Sequence, residues 1–332
     1  MTSSTAVNAG YWYCKGDLQP ENIDSSLFTH LFAAFADVDP GTYNLRFPPG
    51  YETQFQSFAK TVKSINSDVK AILSIGGDTD PSIFAKIASD SNYCKTFIDS
   101  SIDVARDFNY NGPSTGKWRA AVDKEAAAQS TGNAKLLLTA AVSESPQHYP
   151  IQAIVNSLDW INVVAYDLKT PLPLSSPNFI VPPAPFFNPR GSNLVLSVDV
   201  VVNVWIYEGV PANKLVLGLP FHGRSWLLQN AANHEILSPA NGAATEVVSD
   251  PVPYRQIQEL IKDKRGVEVI DHNYVAQYWY VGTTWIGYDG KDIISSKVTY
   301  AKQNELLGYF PWHVDSDDSD WALSKQVMVP HP

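Results

Sequence analysis

The sequence has few cysteines, little positive charge and no long hydrophobic run. Its two cysteines, Cys14 and Cys94, are far apart, which excludes a disulfide framework and a zinc site of the C-x-x-C type. Apolar runs such as Lys214–Leu219 are far shorter than the roughly 18 residues of a membrane span, so we expect a soluble chain. The formal charge is −10 and the longest basic patch, Lys262–Arg265, is short, so neither nucleic acid nor a membrane is an expected partner.

The sequence also lacks the short motifs of several enzyme classes. HExxH, GxSxG and a P-loop are absent, and Gly76-Gly77 is too short for a dinucleotide fingerprint. The acidic run Asp315–Asp320 lacks the glycine turn and terminal glutamate of a calcium loop, which favours a solvated loop. We therefore predict no metal site and no cofactor. The first eight residues contain no apolar segment, so no secretory signal is expected.

Short β-branched runs alternate with helical segments, a pattern typical of parallel strands covered by crossover helices. The predicted strands are Gly10–Tyr13, Thr29–Ala36, Val69–Ile75, Leu136–Val142, Trp160–Tyr166, Leu215–Leu219 and Gly308–His313. The predicted helices are Tyr51–Ile65, Thr96–Phe108, Trp118–Gln129, Pro150–Leu158 and Val201–Glu208. The pattern predicts an α/β fold of the (β/α)₈ TIM-barrel type with one strand missing.

The missing strand would fall between the third predicted strand and Leu136. Two predicted helices follow each other there with only Asn109–Lys117 between them. We predict that the fourth strand of the barrel is deleted. Unless the two neighbouring strands pair directly, its loss would expose their edges, and self-association through these edges is then expected.

Residues 223–288 interrupt the alternation with one helix, Tyr254–Lys264, and short β-like runs. We predict that they form a small α+β insertion domain before the last barrel unit. Residues 1–222 and 289–332 would form the barrel domain.

The working face of such a barrel lies at the carboxyl ends of its strands, which here are rich in aromatic side chains. The C–H faces of pyranose sugars stack well on aromatic rings. Tyr166-Asp167 offers a phenol donor and a carboxylate, which suit an amide group. Taken singly, each residue also has a structural interpretation: a core tyrosine beside a helix-capping aspartate, and Trp312 as a plug of the barrel.

Seven segments resemble the successive strands of plant class V chitinases, in glycoside hydrolase family 18. They are GYW at Gly10, FTHLFAAFA at Phe28, ILSIGG at Ile72, LLLTAAVS at Leu136, DWINVVAYD at Asp159, KLVLGLPFHGRSW at Lys214 and LLGYFPWHV at Leu306. In that family the fourth strand carries D-x-x-D-x-D-x-E. Its glutamate is the general acid, and the neighbouring aspartate orients the N-acetyl group of the substrate as an internal nucleophile.

This acidic pattern is absent here. The chain runs from Arg106 to Gly112 as if entering the strand and then continues at Pro113 into what resembles the following helix. The nearest spacing elsewhere, in Asp315–Asp320, has Ala322 in place of the glutamate. We therefore predict no catalytic residue, and without a positioned acid a factor of typically 10²–10⁴ in rate is lost.

The resemblance implies that Tyr166 and Asp167 hold the acetamide group and that Trp312 lies under the sugar at the cleavage subsite. Val164 and His222 stand where the family has methionine and tyrosine, so a changed subsite shape is expected. The predicted ligand contacts are Tyr11, Phe35, Tyr166, Asp167, His222, Arg224 and Trp312.

Three functions remain open. The first is a lectin-like chitinase homologue that binds chitin or N-acetylglucosamine oligosaccharides and is inactive or severely impaired. The second is a chitin-hydrolysing enzyme, either as a form that lacks one segment or through other chemistry. The third is a scaffold that binds no sugar. The resemblance also suggests a role in plant defence and a secreted or vacuolar site, whereas the sequence itself leaves the compartment unknown.

Overall fold

The computed structural model describes residues 6–77, 79–114, 119–128, 135–171, 179–189, 195–245, 248–263 and 265–328. The chain divides into two compact units. The first comprises Met1–Ala141 and Tyr149–Asn162, and the second comprises Val142–His148 and Val163–Pro332.

The first unit contains a sheet whose strands follow the order β5-β4-β2-β1 and run parallel. Its strands are β1 (Val7–Tyr13), β2 (His30–Val38), β3 (Leu45–Arg46), β4 (Lys70–Ile75) and β5 (Pro113–Ser114). The short β3 adds an antiparallel pair to the end of β2. Two further strands, β6 (Thr139–Val142) and β7 (Trp160–Val163), begin in this unit and place their last residue in the second.

Five helices belong to the first unit. They are α1 (Glu52–Ile65), α2 (Pro81–Ser89), α3 (Ser91–Asp107), α4 (Arg119–Ala128) and α5 (Ile151–Ser157). Helix α1 buries Phe55, Phe58, Ala59 and Val62, the spacing of one helical face. Helix α2 was not predicted, and α3 begins earlier than predicted because the Asp90 carboxylate accepts the first backbone N–H groups. The end residues of the predicted helix Trp118–Gln129 lie outside the described residues.

A two-residue strand, β5, lies where the fourth strand was predicted to be missing. The Asn111 N–H donates to the Ala71 carbonyl oxygen at 2.6 Å, and the Leu73 N–H donates to the Gly112 carbonyl oxygen at 2.9 Å. On the other side, the Leu137 N–H donates to the Asn111 carbonyl oxygen at 2.8 Å. The prediction that the edge of the third strand is exposed is therefore wrong for Ala71–Leu73, because the chain after α3 pairs with it. Self-association itself stays a prediction.

The second unit contains a parallel pair and an antiparallel sheet. Strand β8 (Leu215–Pro220) pairs with β14 (Gly308–Trp312). The sheet has the order β10-β9-β13-β12-β11. Its strands are β9 (His222–Leu227), β10 (Val252–Pro253), β11 (Val267–Asp271), β12 (Ala276–Val281) and β13 (Thr284–Tyr288). All five strands lie between residues 222 and 288, whereas the division into a barrel and an insertion domain stays a prediction.

Four helices complete the second unit. They are α6 (Val198–Tyr207), α7 (Tyr254–Lys262), α8 (Lys291–Gln303) and α9 (Ala322–Val327). The Asp317 carboxylate accepts the N–H groups of Leu323 and Ser324 in α9. Asp317 and Asp315 are buried, so the predicted solvated loop is wrong for these two residues. None of the helices in the described part of the chain has both the length and the apolar character needed to traverse a bilayer.

Candidate functional site

Five of the seven predicted ligand contacts lie in the second unit. Two of them, His222 and Arg224, contact the carboxylate of a third, Asp167. Asp167 follows β7, and its φ of 55° lies in the left-handed region, which aspartate tolerates better than most residues. His222 and Arg224 are two residues apart on β9, so both side chains project from the same face of that strand. This arrangement brings both of them to Asp167.

Arg224 binds Asp167 through two parallel hydrogen bonds. Its Nε donates to Asp167 Oδ1 at 2.7 Å and its Nη2 donates to Oδ2 at 2.6 Å. His222 Nε2 lies 3.0 Å from Oδ1 and 3.2 Å from Oδ2. Bidentate contacts of this type fix the plane of the carboxylate as well as its position. Asp167 is therefore held rigidly, and its side chain keeps 24% exposure.

These contacts set the ionisation of Asp167. Burial alone would raise its pKa, but the hydrogen bond and charge of His222 and the guanidinium of Arg224 outweigh burial and hold the pKa well below its usual range. The carboxylate is ionised at any pH near neutrality. It can accept hydrogen bonds but cannot donate a proton.

A second carboxylate, Asp250, holds the other side of Arg224. Arg224 Nη1 donates to Asp250 Oδ2 at 3.2 Å, and the Ser225 N–H donates to Asp250 Oδ1 at 2.9 Å. The guanidinium thus bridges two carboxylates, and their charges raise its pKa despite its burial. Asp250 orients Arg224, and Arg224 in turn orients Asp167.

His222 is buried and contacts the site on both sides of its ring. Its Nδ1 lies 3.4 Å from the Trp312 carbonyl oxygen, opposite the contact of Nε2 with Asp167. The ring also packs edge-on against Tyr166, with 5.9 Å between the ring centroids. His222 therefore links Tyr166, Asp167 and the end of β14. Trp312 itself is half-buried.

Close packing fixes the Tyr166 ring. A Cβ atom at Gly218 would lie 2.7 Å from Tyr166 Cε1, so only glycine allows β8 to approach this closely. The Phe310 ring packs edge-on against Tyr166, with 6.3 Å between the centroids. Tyr166 thus keeps one orientation next to Asp167.

The two remaining candidates, Tyr11 and Phe35, belong to the first unit. Tyr11 is only 2% exposed, its hydroxyl accepts a hydrogen bond from Asn162 at 2.7 Å, and its ring stacks on Phe32 at 4.4 Å. Phe35 is half-buried and lies against Gly77, where a Cβ atom would be 2.3 Å from its ring. Their predicted contact with a ligand stays a prediction, and the burial of Tyr11 makes it the weaker candidate.

Sequence reasoning missed three charged residues around this site. Asp250 lies in the predicted insertion domain. Asp289 and Lys297 form a buried pair, and His222 is close enough to this pair to lower the pKa of Asp289. Burial raises the pKa of Asp289, although Lys297 and His222 partly offset this effect. No spacing rule connects these residues to strand ends. Only the position of Asp289 directly after β13 could have drawn attention to it.

Comparisons with known proteins identify relatives over nearly the whole chain. The sequence model of glycosyl hydrolases family 18 matches residues 7–112 and 115–317. A class V chitinase of Arabidopsis thaliana is 41% identical over 340 residues, which cover 96% of this chain and 88% of that protein.

Two solved plant structures superpose closely. One is a mutant class V chitinase from Nicotiana tobaccum in complex with NAG4, with a TM-score of 0.90, 38% identity and coverage of 97% of this chain and 98% of that one. The other is a chitinase-like agglutinin from Robinia pseudoacacia, with a TM-score of 0.86, 40% identity and coverage of 97% and 99%.

Proposed function

The chain belongs to glycosyl hydrolase family 18 and has a fold of the TIM-barrel type, and on that premise we propose that it binds N-acetylglucosamine oligomers and cleaves them poorly or not at all. The ligand follows from the relatives and from the site around Asp167. The loss of cleavage follows from the residues that the chain lacks.

One observation carries the proposal. The acidic pattern D-x-x-D-x-D-x-E is absent from the sequence, and the family match is interrupted between residues 112 and 115, at the point where it is expected. The match to the Arabidopsis relative extends over 340 residues, more than the 332 of this chain, so that relative has residues without a counterpart here. At the same place, β5 is two residues long. All four facts support the loss of the catalytic segment.

The described carboxylates near Asp167 offer no replacement acid. A general acid needs a pKa near the working pH and access to the leaving oxygen. Asp167 has a depressed pKa, and Asp250 is bound to Arg224 and to the backbone. Asp289 has a raised pKa, but it is 1% exposed and paired with Lys297.

The binding half of the proposal is supported by the fixed geometry around Asp167. A carboxylate has roughly four acceptor positions, and three donor groups occupy Asp167: two from Arg224 and one from His222. One position remains for an amide N–H. An acetamide group meets that requirement, and the half-buried Trp312 beside His222 supplies an aromatic face for the sugar ring.

A second candidate function is hydrolysis of chitin oligomers. It is favoured by the 41% identity to a protein named as a chitinase. The likeness to a chitinase-like agglutinin favours binding without cleavage instead. A scaffold that binds no sugar is the third outcome of the same experiment. A secreted or vacuolar site is a proposal that rests on the family alone.

The test is a calorimetric titration with the N-acetylglucosamine hexamer, followed by chromatography of the sugars left in the cell. We expect a saturating isotherm and intact hexamer. Continuing heat with shorter products would refute the loss of cleavage, and no heat would refute binding. Trp312→Ala should weaken the affinity, whereas Tyr207→Ala, which removes an exposed aromatic side chain from α6, should leave it unchanged.

A graft tests the cause of inactivity. A fourth-strand segment that carries the family pattern D-x-x-D-x-D-x-E would be inserted between Gly112 and Thr115, where the family match is interrupted. If only this segment is missing, the grafted protein should release products from the hexamer and the original chain should not. A folded graft that stays inactive would show that the altered site, with His222 and Val164, also blocks catalysis.

A further inference from the structure

The ring of His222 faces an acceptor at each of its two nitrogens. Nε2 lies 3.0 Å and 3.2 Å from the carboxylate oxygens of Asp167, and Nδ1 lies 3.4 Å from the carbonyl oxygen of Trp312. A carbonyl oxygen and an ionised carboxylate only accept hydrogen bonds. A neutral imidazole has one donor nitrogen and one acceptor nitrogen, so it would turn a lone pair towards one of these oxygens. Only the imidazolium, with a proton on each nitrogen, satisfies both contacts.

The two acceptors are fixed, so neither can turn away from the ring. Arg224 holds the plane of the Asp167 carboxylate through two hydrogen bonds. The Trp312 carbonyl oxygen also accepts the Phe221 N–H at 2.9 Å. His222 itself is only 4% exposed, so water has little access to a repulsive contact. An unsatisfied polar group in such a buried position costs the free energy of its desolvation.

The charges around His222 favour the same state. Arg224 is one guanidinium between two carboxylates, Asp167 and Asp250, so these three side chains carry an excess of one negative charge. The buried pair Asp289 and Lys297 adds no net charge, whether or not a proton passes between its members. A protonated His222 brings the whole group to neutrality. A buried group without net charge is less costly than one with an uncompensated charge.

The other ring-bearing neighbours of His222 do not supply the compensating charge. His313 follows β14, and burial together with the positive charges of His222 and Arg255 lowers its pKa to about 3, so it is neutral. Tyr166 packs edge-on against the His222 ring, and a phenol does not become a cation. Among the described residues that face this ring, the positive charge therefore belongs on His222.

A sugar bound at Asp167 would make this charge more important. Asp167 keeps 24% exposure, and a ligand that covers it removes water from its carboxylate. Removing water from a group with a net negative charge costs more than removing it from a neutral group. A neutral His222 would also repel either Asp167 or the end of β14 at Trp312. Both effects weaken binding when the ring loses its second proton.

We propose that His222 is an imidazolium that positions Asp167 and Trp312, and that it makes the affinity for N-acetylglucosamine oligomers depend on pH. The effect on affinity rests on the proposed function, whereas the charge of the ring does not. The ligand favours the protonated ring, so the affinity is highest in mild acid and falls as the pH rises and the ring becomes neutral. Asp167 stays ionised throughout this interval because its pKa lies well below its usual range.

Nitrogen-15 NMR of the protein labelled at its histidine rings measures the charge without a ligand. At about pH 7 an ordinary histidine is mostly neutral. The two ring nitrogens of His222 should instead have the similar chemical shifts of an imidazolium, and widely separated shifts would overturn the proposal. The exposed His272 is the internal reference for a solvated ring. The signals are assigned from the spectrum of His222→Gln or, if that variant does not fold, from single variants of the other histidines.

Calorimetric titration with the N-acetylglucosamine hexamer at about pH 6 and about pH 9 measures the effect on binding. The affinity of the original protein should be at least about fivefold lower at the higher pH, the lower end of typical couplings between linked groups. His222→Gln keeps a donor but carries no charge, so it should bind more weakly at about pH 6 and show little pH dependence. The control His272→Gln removes an exposed histidine and should keep the pH dependence of the original protein.

The outcomes separate this inference from the proposed function. Equal affinity of the original protein at both pH values, or an unchanged pH dependence in His222→Gln, would overturn the inference while binding itself stands. The double variant Lys297→Met/Asp289→Leu should keep the pH dependence, and its loss there would assign the titration to the buried pair. If the hexamer does not bind at all, the proposed function fails, and the NMR shifts alone decide the charge of His222.

Discussion

Replacing Asp167 with asparagine tests the geometry of the candidate site most directly. The change keeps the size of the side chain and removes the charge that Arg224 and His222 share. Arg224 is 15% exposed and would keep only Asp250, at 3.2 Å, as its carboxylate partner. The guanidinium and the imidazole would then face a neutral amide.

The magnitude follows from the burial of this cluster. Removing one partner of a buried ion pair costs about 3–5 kcal/mol. Asp167 keeps 24% exposure and Arg224 keeps Asp250, so we expect the lower limit, about 3 kcal/mol of unfolding free energy. For a chain of 332 residues, this corresponds to a decrease in Tm of about 4 °C.

The pH dependence has a definite sign. The folded pKa of Asp167 is depressed, whereas an unfolded aspartate has a pKa of about 3.9. Its stabilisation is therefore fully present above about pH 4 and is lost as the pH falls from there towards the folded pKa. Asparagine does not titrate, so the difference in the free energy of unfolding between the two proteins should narrow as the pH falls below about 4.

Urea unfolding at several pH values measures both effects. Asp263→Asn is the matched control, because Asp263 also pairs with an arginine, Arg265, but both are exposed. Asp263→Asn should lower the free energy of unfolding by less than about 0.5 kcal/mol. Equal effects of the two substitutions, or a difference that does not narrow in acid, would refute the argument that Asp167 is a buried, ionised anchor.

Three further predictions concern other parts of the chain. Trp312→Ala should lower the affinity for the N-acetylglucosamine tetramer by about tenfold, roughly 1.4 kcal/mol, because the stacking face is lost; unchanged affinity in calorimetry would show that Trp312 does not contact the sugar. Gly112→Ala would place a Cβ atom 2.0 Å from the Leu137 carbonyl oxygen and should lower the free energy of unfolding by about 2 kcal/mol or more; a neutral result in urea unfolding would contradict the close approach of the chain to Leu137. Lys297→Met leaves Asp289 buried without its partner and should lower the free energy of unfolding by about 3–5 kcal/mol. The double variant with Asp289→Leu should recover much of this loss. If urea unfolding shows that the double variant is no more stable than Lys297→Met, the two side chains do not form an ion pair that is shielded from water.

Much of the fold could be predicted from local patterns. Helix α1 agrees with its prediction within one residue, because Phe55, Phe58 and Val62 repeat at the spacing of a helical face. Patterns without such spacing were less informative. Helix α2 was missed, and α6 begins three residues before its predicted start, at Val198, because a run of valines has no helical signal of its own.

The missing strand shows the limit of this reasoning. The sequence indicated that too few residues lie between α3 and Leu136 for a full strand and its loop. It did not indicate that Asn111 and Gly112 would still pair with β4, since that depends on backbone groups that any sequence has. The structure replaces a predicted open edge with a short strand.

The sequence by itself determined the family, the α/β fold and the absence of the acidic catalytic pattern, because each depends on residue types at fixed spacings along the chain. It also predicted Tyr166, Asp167 and Trp312 at strand ends, which is confirmed for Trp312 at the end of β14, whereas β7 ends earlier than predicted, at Val163. Only the tertiary structure decided that Asp167 is clamped by Arg224 and His222, that Asp250 supports Arg224, and that both ring nitrogens of His222 face acceptors. These relations join residues from distant segments, and their ionisation depends on burial and on partners that sequence spacing does not encode.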